Sequence, residues 1–520
     1  MTSLDTFRTV ASVGAALGIV AILAPATGGR SAAPRRAAGL ATTVAAWALL
    51  AGSLVTTHDL HRAADKLHSP LRAGAAVVGV VVAVVVGVLL VRLVVRRPSA
   101  FFVLLALALP VRIPITFGAQ QANLLVPLYA VILIGIAGWV WGRARGRFGE
   151  EGEGGTPIDL PLGAFVAFSL VSLLWSDDIQ QGTIKIVFFY IPFVLLYRLV
   201  VAWWREAKEA LRALTVTTMA MAAPVALLAI GQYATRTIWW NDTLKQGNVY
   251  NRFFRANGIF YDPNILGRYL VLAILATVAV AWVTRSGRRL ALLGALGALY
   301  TGGLIVTFSR SSALELVIGL ALLAWRAFGW KRTVLVGGAA LVVLGLAAIA
   351  GSHQVRHLVT SEKRLSKVSE GRTRLVRGGF DIWKDAPVAG TGIGSFAKRY
   401  KETLTQRQQR RTRVFISHNA PITVLTELGA VGFALFIALG VSTVLWIWRS
   451  SRAKDAAAWA QWTLLAMLIG IFVHSLLYSA LFEDPYTWVI AGAAIAIGLV
   501  RAVQEVSEPA PVPTEPLPAT

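Results

Sequence analysis

Uninterrupted apolar runs constrain the fold of this chain more than any other feature. Two of them are AGAAVVGVVVAVVVGVLLVRLVV (73–95) and RTVLVGGAALVVLGLAAIAG (332–351). As helices they can cross a bilayer core of about 30 Å, because a helix satisfies its backbone hydrogen bonds without water. The 520 residues are 56% hydrophobic and only 15% charged, whereas soluble proteins carry about 25% charge. We therefore expect an all-α polytopic membrane protein.

About fifteen apolar segments reach spanning length, which predicts about fourteen to fifteen transmembrane helices. The first has no compact basic region before it and is followed by further spans, so we interpret it as a retained helix rather than a signal peptide. The predicted segments are 9–27, 40–56, 73–95, 99–116, 122–141, 159–175, 183–202, 211–232, 264–284, 288–308, 311–328, 332–351, 419–448, 458–480 and 484–501.

Lysine and arginine are concentrated in alternate short connections, for example Arg143, Arg145 and Arg147. The positive-inside rule assigns these connections to the cytoplasm and the long connections 233–263 and 352–418 to the extracytoplasmic side. The net charge of +24 then reflects membrane orientation, and we expect a lipid bilayer rather than nucleic acid as the partner. The predicted location is the inner or plasma membrane, with multiple passes.

This pattern divides the chain into five parts. They are additional N-terminal transmembrane helices (1–98), a transmembrane core (99–351), a large extracytoplasmic loop containing short helices (352–418), C-terminal transmembrane helices (419–501) and a disordered Pro-rich cytoplasmic tail (502–520). No soluble catalytic domain remains, so any chemistry must use the loops and the helix ends.

The large loop is strongly basic. Its stretch 352–415 holds fifteen lysines and arginines against five acidic residues. Arg372 and Arg374 precede an amphipathic stretch, where they can bind lipid headgroups or clamp a pyrophosphate through their fork-shaped guanidinium groups. The glycines of GTGIGSF (390–396) favour a tight turn over a dinucleotide site, because no strand–turn–helix unit surrounds them.

Two further groups of basic residues are predicted to lie on the extracytoplasmic side. Arg310 stands in SRSS (309–312), while Arg252 and Arg255 stand in NRFFRANGIFYDPN (251–264). An arginine at a helix end either reaches back to the membrane interface or faces a cavity or partner, and both readings stay open. The triplet Asp262, Pro263 and Asn264 is typical of a helix start.

His418 lies in SHNAP (417–421), directly before a long apolar run. Ser417 or Asn419 can cap the helix that begins there. The positive potential of a helix N-terminus disfavours imidazolium, so a neutral ring nitrogen can accept a proton from a hydroxyl. An interfacial histidine without a chemical role is the alternative, but three arginine clusters on the same face favour a chemical one.

We expect no cofactor and no metal. Cysteine is absent, which excludes disulfides and thiolate ligands. His58, Asp59, His61 and Asp65 in HDLHRAAD (58–65) imitate a metal site, but this spacing in a short polar turn is common by chance.

Four motifs in this order resemble the O-antigen ligase family, which also contains O-antigen polymerases. They are G-x-F-x-D-P-N (258–264), SRSS (309–312), GRTRLVRGG with PVAGTGIGSF (371–396) and SHNAPITVLTELGAVGF (417–433). The resemblance covers roughly residues 100–500. It implies a glycosyltransferase C-like fold with a large extracytoplasmic loop, and helices 1–95 would be an addition to it.

The resemblance also implies an activity and a site. Such enzymes move a glycan from an undecaprenyl-pyrophosphate carrier to an acceptor hydroxyl on a glycan, a lipid or another molecule, without a metal and with inversion. His418 would be the base, and Asn419 would orient the site or cap its helix. The donor pyrophosphate would be held by Arg255, Arg310 and Arg372. The neighbouring arginines Arg252 and Arg374 are alternative contacts for the same pyrophosphate.

Three functions remain to be separated. The first is a ligase or polymerase that uses His418. The second is a lipid-linked-glycan flippase or transporter, which is disfavoured because few charges lie mid-span and no inverted repeat is visible. The third is a transferase that uses a polyprenyl-monophosphate sugar and an acidic base, Asp59 or Asp65.

Overall fold

The computed structural model describes residues 2–25, 32–55, 68–117, 120–148, 155–239, 241–250, 253–339, 375–406, 409, 417, 419–478 and 480–507. Arg252, Arg372, Arg374 and His418 lie outside these ranges. So do the acidic and histidine residues of 58–65 and most of the predicted segment 332–351.

Helices form nearly all of the described structure. In chain order they are α1 (Ser3–Leu23), α2 (Ala33–Gly52), α3 (Pro70–Arg96), α4 (Ser99–Ala108), α5 (Val126–Ala144), α6 (Asp159–Val171), α7 (Ile179–Glu206), α8 (Ala210–Thr235), α9 (Asp242–Tyr250), α10 (Pro263–Val283), α11 (Gly287–Ile305), α12 (Arg310–Phe328), α13 (Phe396–Glu402), α14 (Ala420–Ser450), α15 (Ala456–Ser475) and α16 (Pro485–Ser507). A further helix runs through 375–385 in the large loop.

Within the described residues, ten helices are long and apolar enough to cross a membrane. This confirms the prediction of an all-α polytopic membrane protein. The ten are α1, α3, α5, α7, α8, α10, α12, α14, α15 and α16.

The predicted segment 99–116 differs from expectation. Helix α4 ends at Ala108, and two short antiparallel strands follow, β1 (Ile113–Phe117) and β2 (Gln120–Leu124). Pro110 and Pro114 explain the break, because proline lacks the N–H that a continuing helix needs. Hydropathy alone could not show this, since the residues on both sides of the break are apolar.

The first two helices pack closely on each other and on the helices that follow. A methyl group at Gly18 would lie 2.8 Å from the carbonyl oxygen of Gly39, so α1 and α2 approach backbone to backbone. The Ser12 hydroxyl donates to the Leu170 carbonyl at 2.7 Å, and Trp47 Nε1 donates to the Val187 carbonyl at 2.7 Å. Helices α1 and α2 are therefore docked against α6 and α7.

The glycine motif of the large loop forms a packing junction with α14. The Thr391 amide donates to the Thr426 carbonyl at 3.1 Å, and the Gly392 amide donates to the Glu427 carbonyl at 2.8 Å. Gly392 has φ of 87°, and a Cβ there would lie 2.6 Å from the Ser176 nitrogen. Such an approach requires glycine, so these residues make a tight turn against the bundle.

Two ion pairs strengthen this junction. Lys185 Nζ lies 2.9 Å from Glu427 Oε1, and Arg399 Nε lies 2.6 Å from Asp177 Oδ2. The hydrogen bond to Asp177 raises the pKa of Arg399. The described end of the large loop is thus fixed beside the first two turns of α14.

Candidate functional site

The ends of four helices border a cavity of about 980 Å³. They are the start of α10, the end of α11, the start of α12 with the turn before it, and the segment that follows α15. Apolar side chains form part of the wall, and the polar and charged part consists of Arg255, Asp262, Asn264, Thr301, Ser309, Arg310, Ser311 and Tyr478.

Helices α10 and α12 both begin at the cavity with side-chain caps. Asp262 Oδ1 accepts from the Asn264 amide at 2.6 Å, so the predicted helix start at Asp262–Asn264 is confirmed. Ser309 caps α12 by accepting from the Ser312 amide at 3.3 Å. Because helix N-termini carry partial positive charge and free N–H groups, both helices favour an anion in the cavity.

Arg255 is held in place from three sides. Its Nε donates to the Thr307 carbonyl at 2.9 Å, and its Nη2 donates to Asn264 Oδ1 at 3.0 Å. The Asn248 side chain accepts from the Arg255 amide and donates to the Arg255 carbonyl, both at 3.0 Å. Burial lowers the pKa of Arg255 while Asp262 opposes this shift; arginine's ordinary pKa is so high that the group stays charged.

Arg310 reaches the same cavity from the first residue of α12. Its side chain is exposed, in contrast to the part-buried Arg255. Arg310 is close enough for its positive charge to help lower the pKa of Arg255. Two guanidinium groups and two helix N-termini against one carboxylate, Asp262, make the cavity electrostatically favourable for an anion. Phosphate oxygens suit it, because guanidinium groups bind them with two parallel hydrogen bonds.

Tyr478 adds a phenol to the cavity wall beside Asp262. Burial and the neighbouring carboxylate both raise the pKa of this phenol, so it stays protonated at neutral pH. The phenol hydrogen-bonds to the Asp262 carboxylate, so the two groups stand together in the cavity wall.

A buried polar chain lies behind the cavity wall. Ser311 Oγ is 3.0 Å from His474 Nε2, and His474 Nδ1 is 2.7 Å from Arg268 Nη2. Arg268 also contacts the Asp484 carboxylate and donates to the Ala480 carbonyl at 2.9 Å. Since arginine only donates, His474 Nδ1 must accept, which places the ring proton on Nε2, where it faces Ser311 Oγ and the Asn264 carbonyl. The chain therefore fixes the Ser311 hydroxyl at the cavity surface.

Glu315 is a further buried acid, one turn along α12 from Ser311. It is fully buried, and neither carboxyl oxygen has a hydrogen-bond partner among the described residues. Sequence reasoning missed Arg268, His474 and Glu315. The available signal was an ionisable residue inside an apolar run, which usually marks function in a membrane protein.

Asn419 caps α14 and ties its start to the cavity region. Its Oδ1 accepts from the Ile422 amide at 3.0 Å, and its Nδ2 donates to the Leu476 carbonyl at 3.1 Å. Leu476 directly precedes two residues of the cavity wall, Leu477 and Tyr478. The residue before Asn419, His418, lies outside the described residues.

Of the predicted site residues, Arg255 and Arg310 meet at the cavity, and Asn419 stands next to it. Arg252, Arg372 and Arg374, like His418, lie outside the described ranges, so their predicted place at the site stays a prediction. Among the described residues, no group of three or more histidines and acidic residues has the arrangement of a metal site.

The bundle and its cavity define a polytopic membrane protein with an arginine-lined cavity at helix ends. Residues 295–437 match the family described as O-antigen ligase, which confirms the resemblance carried by the motifs. The family match supports glycan transfer of the ligase or polymerase type. The matched range includes Arg310, the large loop and the start of α14, whereas Arg255 precedes it. No curated protein matches the chain.

Proposed function

We propose that this chain transfers a glycan from an undecaprenyl-pyrophosphate carrier to an acceptor hydroxyl on the extracytoplasmic side of the cell membrane. The observation that carries the proposal is the cavity where Arg255, Arg310 and the N-termini of α10 and α12 converge. The acceptor is a glycan, a lipid or another hydroxyl-bearing molecule, and a growing polysaccharide would make the enzyme a polymerase.

The cavity groups would act on the leaving group. Negative charge grows on the pyrophosphate as its bond to the anomeric carbon breaks. Fixed donors stabilise such charge without reorganising, and removal of one typically costs 10²–10³-fold in rate, about 3–4 kcal/mol. Arg255 is pre-positioned by Thr307 and Asn264, and Arg310 adds a second guanidinium. In this proposal Arg372 holds the pyrophosphate from the large loop. Arg252, three residues before Arg255, and Arg374, two residues after Arg372, are the alternative contacts within each pair.

His418 would supply the base. It directly precedes Asn419, the cap of α14, where the helix dipole favours a neutral imidazole. The acceptor hydroxyl would give its proton to a ring nitrogen while its oxygen attacks the anomeric carbon from the face opposite the pyrophosphate. A C–O bond forms as the C–O bond to pyrophosphate breaks, so the configuration inverts. Because arginines neutralise the leaving group, no metal is required in this proposal.

The position of the buried charges favours a transferase over a transporter. Arg268 follows Pro263 by five residues, roughly 8 Å along α10 at 1.5 Å per residue. His474 lies in the last turn of α15. These groups therefore stand near the cavity end of their helices, whereas a transport path would place charges near the middle of the membrane.

The test is release of undecaprenyl pyrophosphate from a glycan-loaded carrier by purified protein in detergent, with EDTA present. We expect release to survive EDTA and Asp59→Asn. We expect His418→Ala to lower it by about 10²–10⁴-fold, the usual contribution of a general base. Asp59→Asn is the matched control, because it removes the competing candidate base.

Two results would decide against this assignment. Undiminished release in a well-folded His418→Ala protein would exclude His418 as the base. Loss of release in Asp59→Asn or in EDTA would instead favour the transferase that uses an acidic base in the 58–65 segment.

A further inference from the structure

The buried polar chain behind the cavity ends at a hydroxyl group in the cavity wall. His474 is fully buried in the last turn of α15, and Arg268 is fully buried on α10, where it contacts the Asp484 carboxylate. Buried ion pairs contribute little net stability, because the loss of hydration offsets their attraction. A role other than stability is therefore favoured for this chain.

Arg268 sets the direction of the hydrogen bonds at one end of the chain. Its guanidinium group only donates, so His474 Nδ1 accepts at 2.7 Å and the ring proton is on Nε2. Nε2 lies 3.0 Å from Ser311 Oγ and also faces the Asn264 carbonyl. With either acceptor, the ring presents a proton and no lone pair to Ser311. The hydroxyl proton of Ser311 must therefore point away from His474.

Arg255 sets the directions at the other end. Its Nη2 donates to Asn264 Oδ1 at 3.0 Å, so this oxygen accepts, and the Ser309 hydroxyl donates to the same oxygen at 2.9 Å. Ser309 Oγ can then only accept from other hydroxyls. Ser312 lies 2.9 Å from it, whereas Ser311 lies 3.2 Å from it. Hydroxyl hydrogen bonds usually span about 2.5–3.0 Å, so the Ser311 proton is held only weakly within the protein.

Ser311 is placed to give this proton to a bound anion. It lines the same cavity as Arg255 and Arg310, and it directly follows Arg310 at the start of α12. A donor that is already fixed in place needs no reorganisation when negative charge arrives or grows beside it. Ser311 therefore adds a neutral, oriented donor to the two guanidinium groups.

We propose that the Ser311 hydroxyl binds the anionic group of a polyprenyl-linked pyrophosphate, and that His474 is the residue that positions this hydroxyl. This inference rests on the proposed function, which supplies the pyrophosphate. Ser311 touches the substrate in this proposal. His474 acts only through the hydroxyl, and Arg268 acts only by fixing the tautomer of His474.

The test is binding of farnesyl pyrophosphate, a short polyprenyl pyrophosphate, to the purified full chain in detergent with EDTA. Ser311→Ala should weaken binding by about tenfold to hundredfold, the usual contribution of a hydrogen bond to a charged group. His474→Asn should weaken it similarly, because the shorter side chain can still accept from Arg268 but cannot reach Ser311. The double variant should bind no more weakly than either single variant, since both changes remove the same interaction.

Two further variants separate positioning from a general loss of structure. His474→Gln places an N–H group close to the position of Nε2, so it should recover most of the lost affinity. The control is Ser475→Ala, which removes a buried hydroxyl next to His474 that donates to the Phe472 carbonyl of its own helix at 2.6 Å. It should bind farnesyl pyrophosphate as wild type does. Thermal unfolding of each preparation verifies that the variants are folded.

Wild-type affinity in Ser311→Ala, additive losses in the double variant, an equal loss in Ser475→Ala, or no binding by wild type would each overturn the inference. Release of undecaprenyl pyrophosphate is measured on the same preparations, so the two proposals can fail separately. Release by wild type together with unchanged binding in Ser311→Ala would remove only the role of Ser311 and His474. The expected binding pattern without any release would instead remove only the proposed glycan transfer.

Discussion

Arg255 and Arg310 face one cavity but are held in different ways. Arg255 is part-buried and ties the start of α10 to the turn before α12 through Asn264 and Thr307. Arg310 is exposed at the first residue of α12. Arg255 therefore has a structural role in addition to the chemical role that we propose for both arginines.

Because of this difference, we expect substitutions of the two arginines to lower activity alike but to lower stability unequally. We expect both Arg255→Gln and Arg310→Gln to lower release of undecaprenyl pyrophosphate by about 10²–10³-fold, because each loses a donor to the leaving group. Only Arg255→Gln should also unfold more easily, by about 1–3 kcal/mol, since it leaves the buried Thr307 carbonyl unpaired. Release kinetics and thermal unfolding of the same preparations measure the two effects. Equal stability losses in both variants would contradict the distinction.

At the scale of elements, the start of α14 is positioned by its own cap and by contacts with two other parts of the chain. Asn419 caps it and reaches the segment after α15, while residues 391 and 392 of the large loop donate to the carbonyls of Thr426 and Glu427. Helix α14 also contains a non-helical residue, Gly429, with φ of 64°. The proposed base therefore precedes a helix whose first turns are fixed from several sides.

The junction can be tested with two glycines of similar backbone conformation. Gly392→Ala should destabilise the protein by more than the roughly 1–2 kcal/mol expected for alanine at positive φ, because its Cβ would also meet the Ser176 backbone. Gly146→Ala has φ of 64° and nothing within 4 Å of the added Cβ, so it should show the backbone cost alone. Thermal unfolding in detergent compares them. A smaller loss in Gly392→Ala than in Gly146→Ala would show that the junction is loose.

For the whole molecule, orientation decides whether the cavity meets an extracytoplasmic substrate. The absence of cysteine makes this directly measurable, because any introduced cysteine is the only thiol. Lys245, on α9 before the cavity, and Arg452, after α14, are both exposed and lie at opposite ends of the bundle.

We expect a membrane-impermeant maleimide to label Lys245→Cys in intact cells and to label Arg452→Cys only after the membrane is opened. The reason is that the short basic connections should stay in the cytoplasm. Labelling of total protein in detergent serves as the control for thiol reactivity. The reverse pattern would invert the orientation and remove the basis for an extracytoplasmic site.

The sequence by itself determined the membrane class, most helix positions and the start of α10. These depend on local properties: apolar length indicates whether a segment can span, and Asp262 caps α10 through contacts within the Asp-Pro-Asn triplet itself. The motif order likewise pointed to the family that the match at 295–437 supports. Only the tertiary structure decided which polar residues meet. Arg268 and Asp484 are 216 positions apart, and Arg255 and Thr307 are 52 apart. Such contacts depend on how helices pack, because a buried charge must find its partner wherever the fold brings one, and no local pattern records that choice.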